Sequence, residues 1–173
     1  MPKQRRECLK KLKEMETHDD ELVRAVHGNI VMIARKEDLD LLNVNRLALF
    51  ADGTFKYSPR FFNQMYTFFV FNNGFYLPIA HFLLINKTQA TYANMLQILI
   101  KECEKNGFSF TDKLRNGSIM LDFEKAMINA AKISFPGCQI QGCKFHLCQS
   151  WWKKIKNLGL SQLYKKPNSP EGR

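Results

Sequence analysis

Two apolar runs in the sequence each end on an aspartate. Leu47-Ala-Leu-Phe-Ala leads into Asp52-Gly53, and Gly117-Ser-Ile-Met-Leu leads into Asp122, about seventy residues later. A carboxylate at the end of a buried strand costs several kcal/mol unless it is paired or holds a metal. Together the two suit a hard divalent cation. Oxygen-only ligation favours Mg²⁺ or Mn²⁺, and two such ions about 4 Å apart clamp both oxygens of an in-line phosphoryl displacement. Each aspartate also has a plainer role open to it. Asp52 could serve a turn at Asp-Gly, and Asp122 could precede a helix start, where its charge favours the helix dipole.

Composition limits what surrounds these residues. The chain has 173 residues, 45% of them hydrophobic and 24% charged, which suits one domain with a core and a small appendage. No apolar stretch approaches the roughly 20 residues of a spanning helix. The longest candidate, 79–85, is interrupted by His81. The first residues, Met-Pro-Lys-Gln-Arg-Arg, lack the apolar centre of a secretory signal, and five cysteines is an odd number. Both features favour an intracellular protein in a reducing compartment.

The net charge of +10 sits at the two ends. Residues 1–14 carry six basic and two acidic side chains, residues 144–173 seven and one, and the intervening stretch thirteen of each. Basic ends on a neutral middle suit a polyanion, most simply nucleic acid, although solvated lysines kept for solubility give the same pattern.

The positioning elements follow from periodicity. Residues 5–15 place Cys8, Leu9, Leu12 and Met15 on one helical face, and a capping signal at 17–20 predicts a further helical turn with Leu22, Val23 and Val26, ending at Gly28-Asn29. His18 and His27 then fall on polar helix ends as solvated residues. A short buried strand is expected at 30–34 and a helical turn at 37–42. Residues 46–57 form the central strand, 63–71 the next, and Asn72-Asn73-Gly74 turns the chain into a third strand at 75–85. Pro78 lacks a ladder donor and puts that strand at a sheet edge or at a bend. His81 is expected to be packed and hydrogen-bonded.

Thr88 caps a helix whose apolar residues Tyr92, Met95, Leu96, Leu99, Ile100 and Cys103 form one stripe ending at Asn106-Gly107. A strand at 117–123, a helix at 124–135, a strand at 138–145 and a helix at 146–158 complete the order. A helix after an antiparallel meander lets the following strand return parallel to one already laid down. The predicted fold class is therefore α/β: a ribonuclease H-like mixed five-stranded sheet, antiparallel meander plus parallel strands, flanked by helices, with an N-terminal helical segment. Strand 117–123 lies beside strand 46–57, so Asp52 and Asp122 project from adjacent positions about 4.8 Å apart. The expected organisation is a basic helical segment at 1–29, the core at 30–164 and a disordered tail at 165–173.

Several further motifs fall in a recognisable order: Asp52-Gly-Thr-Phe-Lys-Tyr-Ser-Pro, Gln64-x-Tyr66, Leu121-Asp122-Phe-Glu124-x-Ala126, Phe135-Pro136, Cys143-x-Phe-His146-x-x-Gln149 and Leu158-Gly159-Leu160-x-x-x-Tyr164. This series, from about Val31 to Tyr164, resembles the transposase domain of Mutator-like elements. The resemblance implies a catalytic core that binds divalent metal through three acidic residues, cuts DNA and joins the freed end to a target. Asp52 matches the first acid and Asp122 the second. It further implies DNA as partner, a nuclear location and room for self-association.

The family's Cys-x-x-His falls on Cys143 and His146. One helical turn puts both on one face, so zinc is a secondary possibility, behind hydrogen bonding by His146 near the DNA ends or the acidic site. Cys138 and Cys148 complete no closed ligand pattern. The family's third acid is a Glu beyond a helical insertion. After Asp122 only Glu124 and Glu171 are present, and neither matches. The expectation is a fragment with two of three acids and little strand transfer of its own, the alternative being a non-catalytic DNA-binding or assembly module. In that second reading Trp151, Trp152, Lys153, Lys154 and Lys156 supply stacking and phosphate contacts. The tryptophans also suit packing against an insertion domain.

Overall fold

The computed structural model describes residues 3–17 and 25–165, which fall into two compact units, Met1–Gln141 and Gly142–Arg173. In the first unit a seven-stranded mixed sheet carries helices on both faces. Its strands are β1 (Ala25–His27), β2 (Ile30–Ile33), β3 (Ala48–Thr54), β4 (Gln64–Asn72), β5 (Phe75–Leu84), β6 (Ser118–Leu121) and β7 (Gln139–Gly142), in the order β1-β2-β5-β4-β3-β6-β7. The expected meander is β3, β4 and β5, all antiparallel, and β6 returns parallel to β3. The α/β class holds, with two more strands than expected.

The additional strands form a hairpin on the outer side of β5. Residues 25–27 are strand rather than helix: His27 pairs with Ile30 across Gly28, which takes the left-handed conformation at φ 59°. A three-residue strand is too short for alternation to reveal it. His27 consequently lies exposed at a strand end, while His18, Leu22 and Val23 fall outside the described residues, as does the tail from 166. β2 pairs with β5 only from His81 to Leu83, so β5 is not an edge strand throughout. At Pro78 the ladder with β4 slips by a bulge between Phe68 and Phe69, which is the bend that a missing donor requires.

Local chemistry sets the boundaries. The Asn73-Gly74 turn has both residues at positive φ, 50° and 85°, as a two-residue hairpin with primed geometry needs. Helix α3 (Gln89–Lys105) begins where Thr88 accepts a hydrogen bond from the Thr91 amide at 3.2 Å. Its stripe from Tyr92 to Cys103 is buried with the inner residues of β3, β4 and β5 and with α5 (Lys125–Ser134). The opposite face of the sheet receives α1 (Lys3–Thr17), whose Leu9 packs with Val31, Phe62 and Leu83. A short α2 (Lys36–Asp40) follows β2, and α4 (Phe110–Arg115), absent from the sequence expectation, precedes β6 under a Ser109 cap.

Entry into β6 is sterically tight. A Cβ on Gly117 would lie 2.3 Å from the Leu47 carbonyl oxygen and 3.2 Å from that of Lys113. The same Leu47 oxygen accepts from the Ser118 amide at 2.9 Å, which docks β6 on β3. Gly117→Ala should therefore destabilise the protein by about 1–3 kcal/mol. Urea denaturation would register this as a lower midpoint with unchanged slope, and an unchanged midpoint would show that the backbone can part there at no cost.

Candidate functional site

Along β3 the side chains alternate: Leu49 and Ala51 are buried, whereas Asp52 is exposed on the other face. Asp52 and Gly53 lie inside the strand, opposite Thr67 and Tyr66 of β4, so the Asp-Gly pair makes no turn. Gly53 has a packing reason instead. A Cβ there would sit 3.0 Å from Cδ2 of Tyr66 and 3.3 Å from Oε1 of Gln64. Asp52 Oδ1 accepts from the Gly53 amide at 2.8 Å. Beyond it on the same face, Thr67 Oγ1 and His81 Nδ1 share a hydrogen bond at 3.0 Å, and burial pushes the His81 imidazole down from its ordinary value against a smaller upward pull from Asp38. His81 is thus packed and bonded, as expected.

Asp122 directly follows β6, whose register against β3 pairs Ala48 with Ser118, Leu49 with Ile119 and Phe50 with Met120. Carried two residues further, this register sets Asp122 level with Asp52. β6 ends at Leu121, so strand alternation does not extend to the Asp122 side chain, which follows the strand. The plainer role of Asp122 coexists with this placement. Its Oδ1 accepts from the Glu124 amide at 3.2 Å, just ahead of α5.

A polar cluster lies on the core face of the sheet, the face opposite Asp52. Gln64, Tyr66 and Tyr92 are fully buried, and Gln64 Nε2 donates to the Tyr92 hydroxyl at 2.8 Å. Burial first, then the charge of Asp122, then Tyr92, Asp52 and Glu124, raise the Tyr66 phenol well above its ordinary value. Tyr92 is raised by burial against the opposing bond from Gln64, with Glu124 and Asp122 adding to the rise. Glu124 Oε2 in turn pairs with Lys87 Nζ at 3.3 Å, and that ammonium lies 3.9 Å from the centre of the Phe55 ring. Gln64, Tyr66 and Glu124 stand in the sequence motifs without an evident task, and Tyr92 reads there as core. The available signal was its hydroxyl, because a buried tyrosine generally needs a partner. Nothing in the sequence marks Lys87.

In the second unit, β7 gives way at Cys143, the N-cap residue of α6 (Lys144–Asn157), so Cys143 and His146 occupy the first turn of a helix that starts earlier than expected. The expected strand to 145 therefore ends at Gly142. No residue of α6 is fully buried. Lys153, Lys154 and Lys156 are exposed, Trp151 is 59% exposed, and Trp152 packs at 5.7 Å on Tyr164 of α7 (Ser161–Lys165) with Lys156 5.5 Å from its ring. Cys148, Trp151, Trp152, Lys154, Ile155 and Tyr164 line an open groove of about 630 Å³. Among the described residues no group of three or more His, Cys, Asp or Glu side chains converges as a metal site. Neither the aspartate pair nor Cys143 with His146 gains a third ligand of those types.

Residues 48–150, more than half of the chain, match the model of the MULE transposase domain, and the chain belongs to that family. The matched span contains Asp52, Asp122, Cys143 and His146, and it is narrower at both ends than the resemblance read from the motifs. No curated protein and no solved structure matches. Among the described residues no helix is long and apolar enough to cross a membrane.

The raised phenols have a consequence for stability. A group whose folded value lies above its unfolded one stabilises fully below the unfolded value, about 10 for tyrosine, and loses that contribution as pH rises through the folded value. Unfolding free energy should therefore decline steeply above about pH 10, and less steeply in Tyr66→Phe and Tyr92→Phe. Denaturant melts across that range provide the test, and identical slopes in all three proteins would contradict it.

Proposed function

We propose that this transposase domain processes DNA at the Asp52 and Asp122 pair, which together hold a divalent cation, Mg²⁺ or Mn²⁺. The observation that supports the reading is the parallel β3–β6 register, which brings the end of β6, just before Asp122, alongside the part of β3 that carries Asp52. The donor set fits such an ion: oxygen ligands only, one exposed and one half-buried, with room for retained waters. A cation bound there would polarise a phosphoryl oxygen and neutralise charge developing on it. The chain's own part is to fix the two carboxylates through the sheet and to hold Asp122 by the Glu124 amide.

Two carboxylates fix an ion less firmly than three, and phosphoryl transfer depends largely on positioning. The isolated chain should thus bind Mn²⁺ weakly and give little or no strand cleavage or transfer. Calorimetric titration should find Mn²⁺ binding in the wild type and a loss of at least about tenfold in Asp52→Asn and Asp122→Asn, comparable to removing a supporting ligand. Equal affinity in all three proteins would remove the pair from the site. Robust cleavage of labelled DNA with Mn²⁺, abolished by Asp52→Asn, would refute the expected weakness alone.

A second reading is favoured by α6, where Lys153, Lys154 and Lys156 flank two tryptophans beside an open groove. In this reading the helix contacts DNA phosphates while an aromatic face stacks on bases. Replacing the three lysines by alanine should weaken binding uniformly across sequences and lower the log–log salt slope by about 3. Duplex and single-stranded oligonucleotides titrated by fluorescence anisotropy at several salt concentrations measure it, and an unchanged slope would exclude α6 from the phosphate contacts.

A further inference from the structure

Exposed aromatic rings follow each aspartate in the chain. Phe55 directly follows β3, three residues after Asp52, and Phe123 stands between Asp122 and Glu124; both are more than half exposed. A single exposed phenylalanine needs no explanation, but Phe55 is held in place. The Lys87 ammonium stands over its ring, 3.9 Å from the centre, and pairs with Glu124 Oε2 at 3.3 Å. The Glu124 amide donates in turn to Asp122 Oδ1 at 3.2 Å. A chain of short contacts thus ties the Phe55 ring to one aspartate, and at most about 11 Å of backbone ties it to the other.

The pair offers what an unpaired nucleotide takes. An aromatic face accepts any base by stacking, and a cation beside it accepts the phosphate. Lys87 covers one face of the ring, and the exposure of Phe55 leaves the other face open. The ammonium has three donors, Glu124 engages it on one side, and the lysine side chain remains 41% exposed. Basic and aromatic residues continue to alternate at Lys56 and Tyr57, both exposed, with the Lys56 ammonium 5.8 Å from the centre of the Tyr57 ring. Lysine is depleted from the cores of protein–protein interfaces, so this surface suits a polyanion with flat faces better than an apolar protein partner. A paired base inside a duplex presents no free face, and the strand that stacks here is therefore unpaired.

We propose that Phe55 and Lys87 form a subsite for one unpaired nucleotide beside the aspartate pair: the base stacks on the open face of the Phe55 ring and the Lys87 ammonium meets a flanking phosphate. The inference rests on the reading of Asp52 and Asp122 as the place where DNA is processed, and it gives that place a preference for single-stranded over duplex DNA.

The test irradiates the wild-type chain with single-stranded oligonucleotides carrying 5-iodouracil at successive positions and maps the adducts by mass spectrometry. An adduct at Phe55 is expected, and adducts confined to other aromatic residues overturn the inference. In parallel, fluorescence anisotropy should find single-stranded DNA bound about tenfold more weakly by Phe55→Leu, with duplex affinity unchanged and wild-type binding restored in Phe55→Tyr. Lys87→Gln should lower the log–log salt slope by about 1. Single-stranded affinity untouched in Phe55→Leu overturns the inference, and if Asp52→Asn still abolishes Mn²⁺ binding, the cation site stands without it. A Phe55 adduct in a chain that binds no Mn²⁺ removes the cation site and keeps the nucleotide subsite. A wild type that binds no single-stranded DNA overturns the subsite whatever the metal does.

Discussion

The site depends on the close approach of two backbones at Gly117. The Leu47 carbonyl accepts from the Ser118 amide at 2.9 Å, and the space beside it is closed to any side chain on Gly117. On its other side, the Gly117 carbonyl accepts from the Gln139 amide at 3.0 Å. One residue without a Cβ thus joins β6 to β3 and begins the attachment of β7. Because a slip of one residue in a strand turns every side chain to the opposite face, this contact fixes the register in which Leu121 enters the core and Asp122 follows it. Leu121, fully buried one residue earlier, enforces the same choice through the hydrophobic effect.

The carboxylate pair is affordable even without a cation. At about 5 Å two like charges repel by roughly 0.8 kcal/mol in water and roughly 3 kcal/mol at an effective dielectric of 20. With Asp52 exposed, the smaller value governs, and a marginally stable domain tolerates it. The costlier groups lie on the core face of the sheet, where the unpaired atoms of Tyr66 and Gln64 are sealed from solvent. Desolvation outweighs Coulomb repulsion in this region, which is why burial heads the causes that raise both phenols.

What could be read from the sequence follows from how local each signal is. The α3 stripe, its Thr88 cap and the Asn73-Gly74 turn are decided by neighbours within a few residues, and all appear where periodicity and turn chemistry put them. The meander and the parallel return of β6 followed from element order, which brought Asp52 and Asp122 together on paper. Pairings between distant short segments were hidden. β1 has three residues and is a strand only because β2 offers it a partner, and α4 is a six-residue turn of helix held by burial of Phe110 and Leu114. Gly117 looked like a strand start, since nothing local shows that the Leu47 carbonyl faces it. Gln64, Tyr66 and Glu124 were visible as motif letters, but their common cluster with Tyr92 arises from β4, α3 and the start of α5.

Charge separates the two candidate activities along the chain. The stretch between the basic ends is neutral, with thirteen charges of each sign, and the aspartate pair lies within it. Lys87, the cation that the structure brings to this cluster, is paired with Glu124 and lies over Phe55, so it does not take the place of a metal between the aspartates. The lysines of α6 instead belong to a helix with no fully buried residue, in a unit where Trp152 packs against Tyr164 and the chain turns at Gly159, φ 71°. A helix committed so little to a core can change its surface charges with small effects on stability. The aspartates belong to β3 and the end of β6 whereas the basic side chains extend from a surface helix, so the proposed cation binding and the proposed polyanion binding should be separable by mutation.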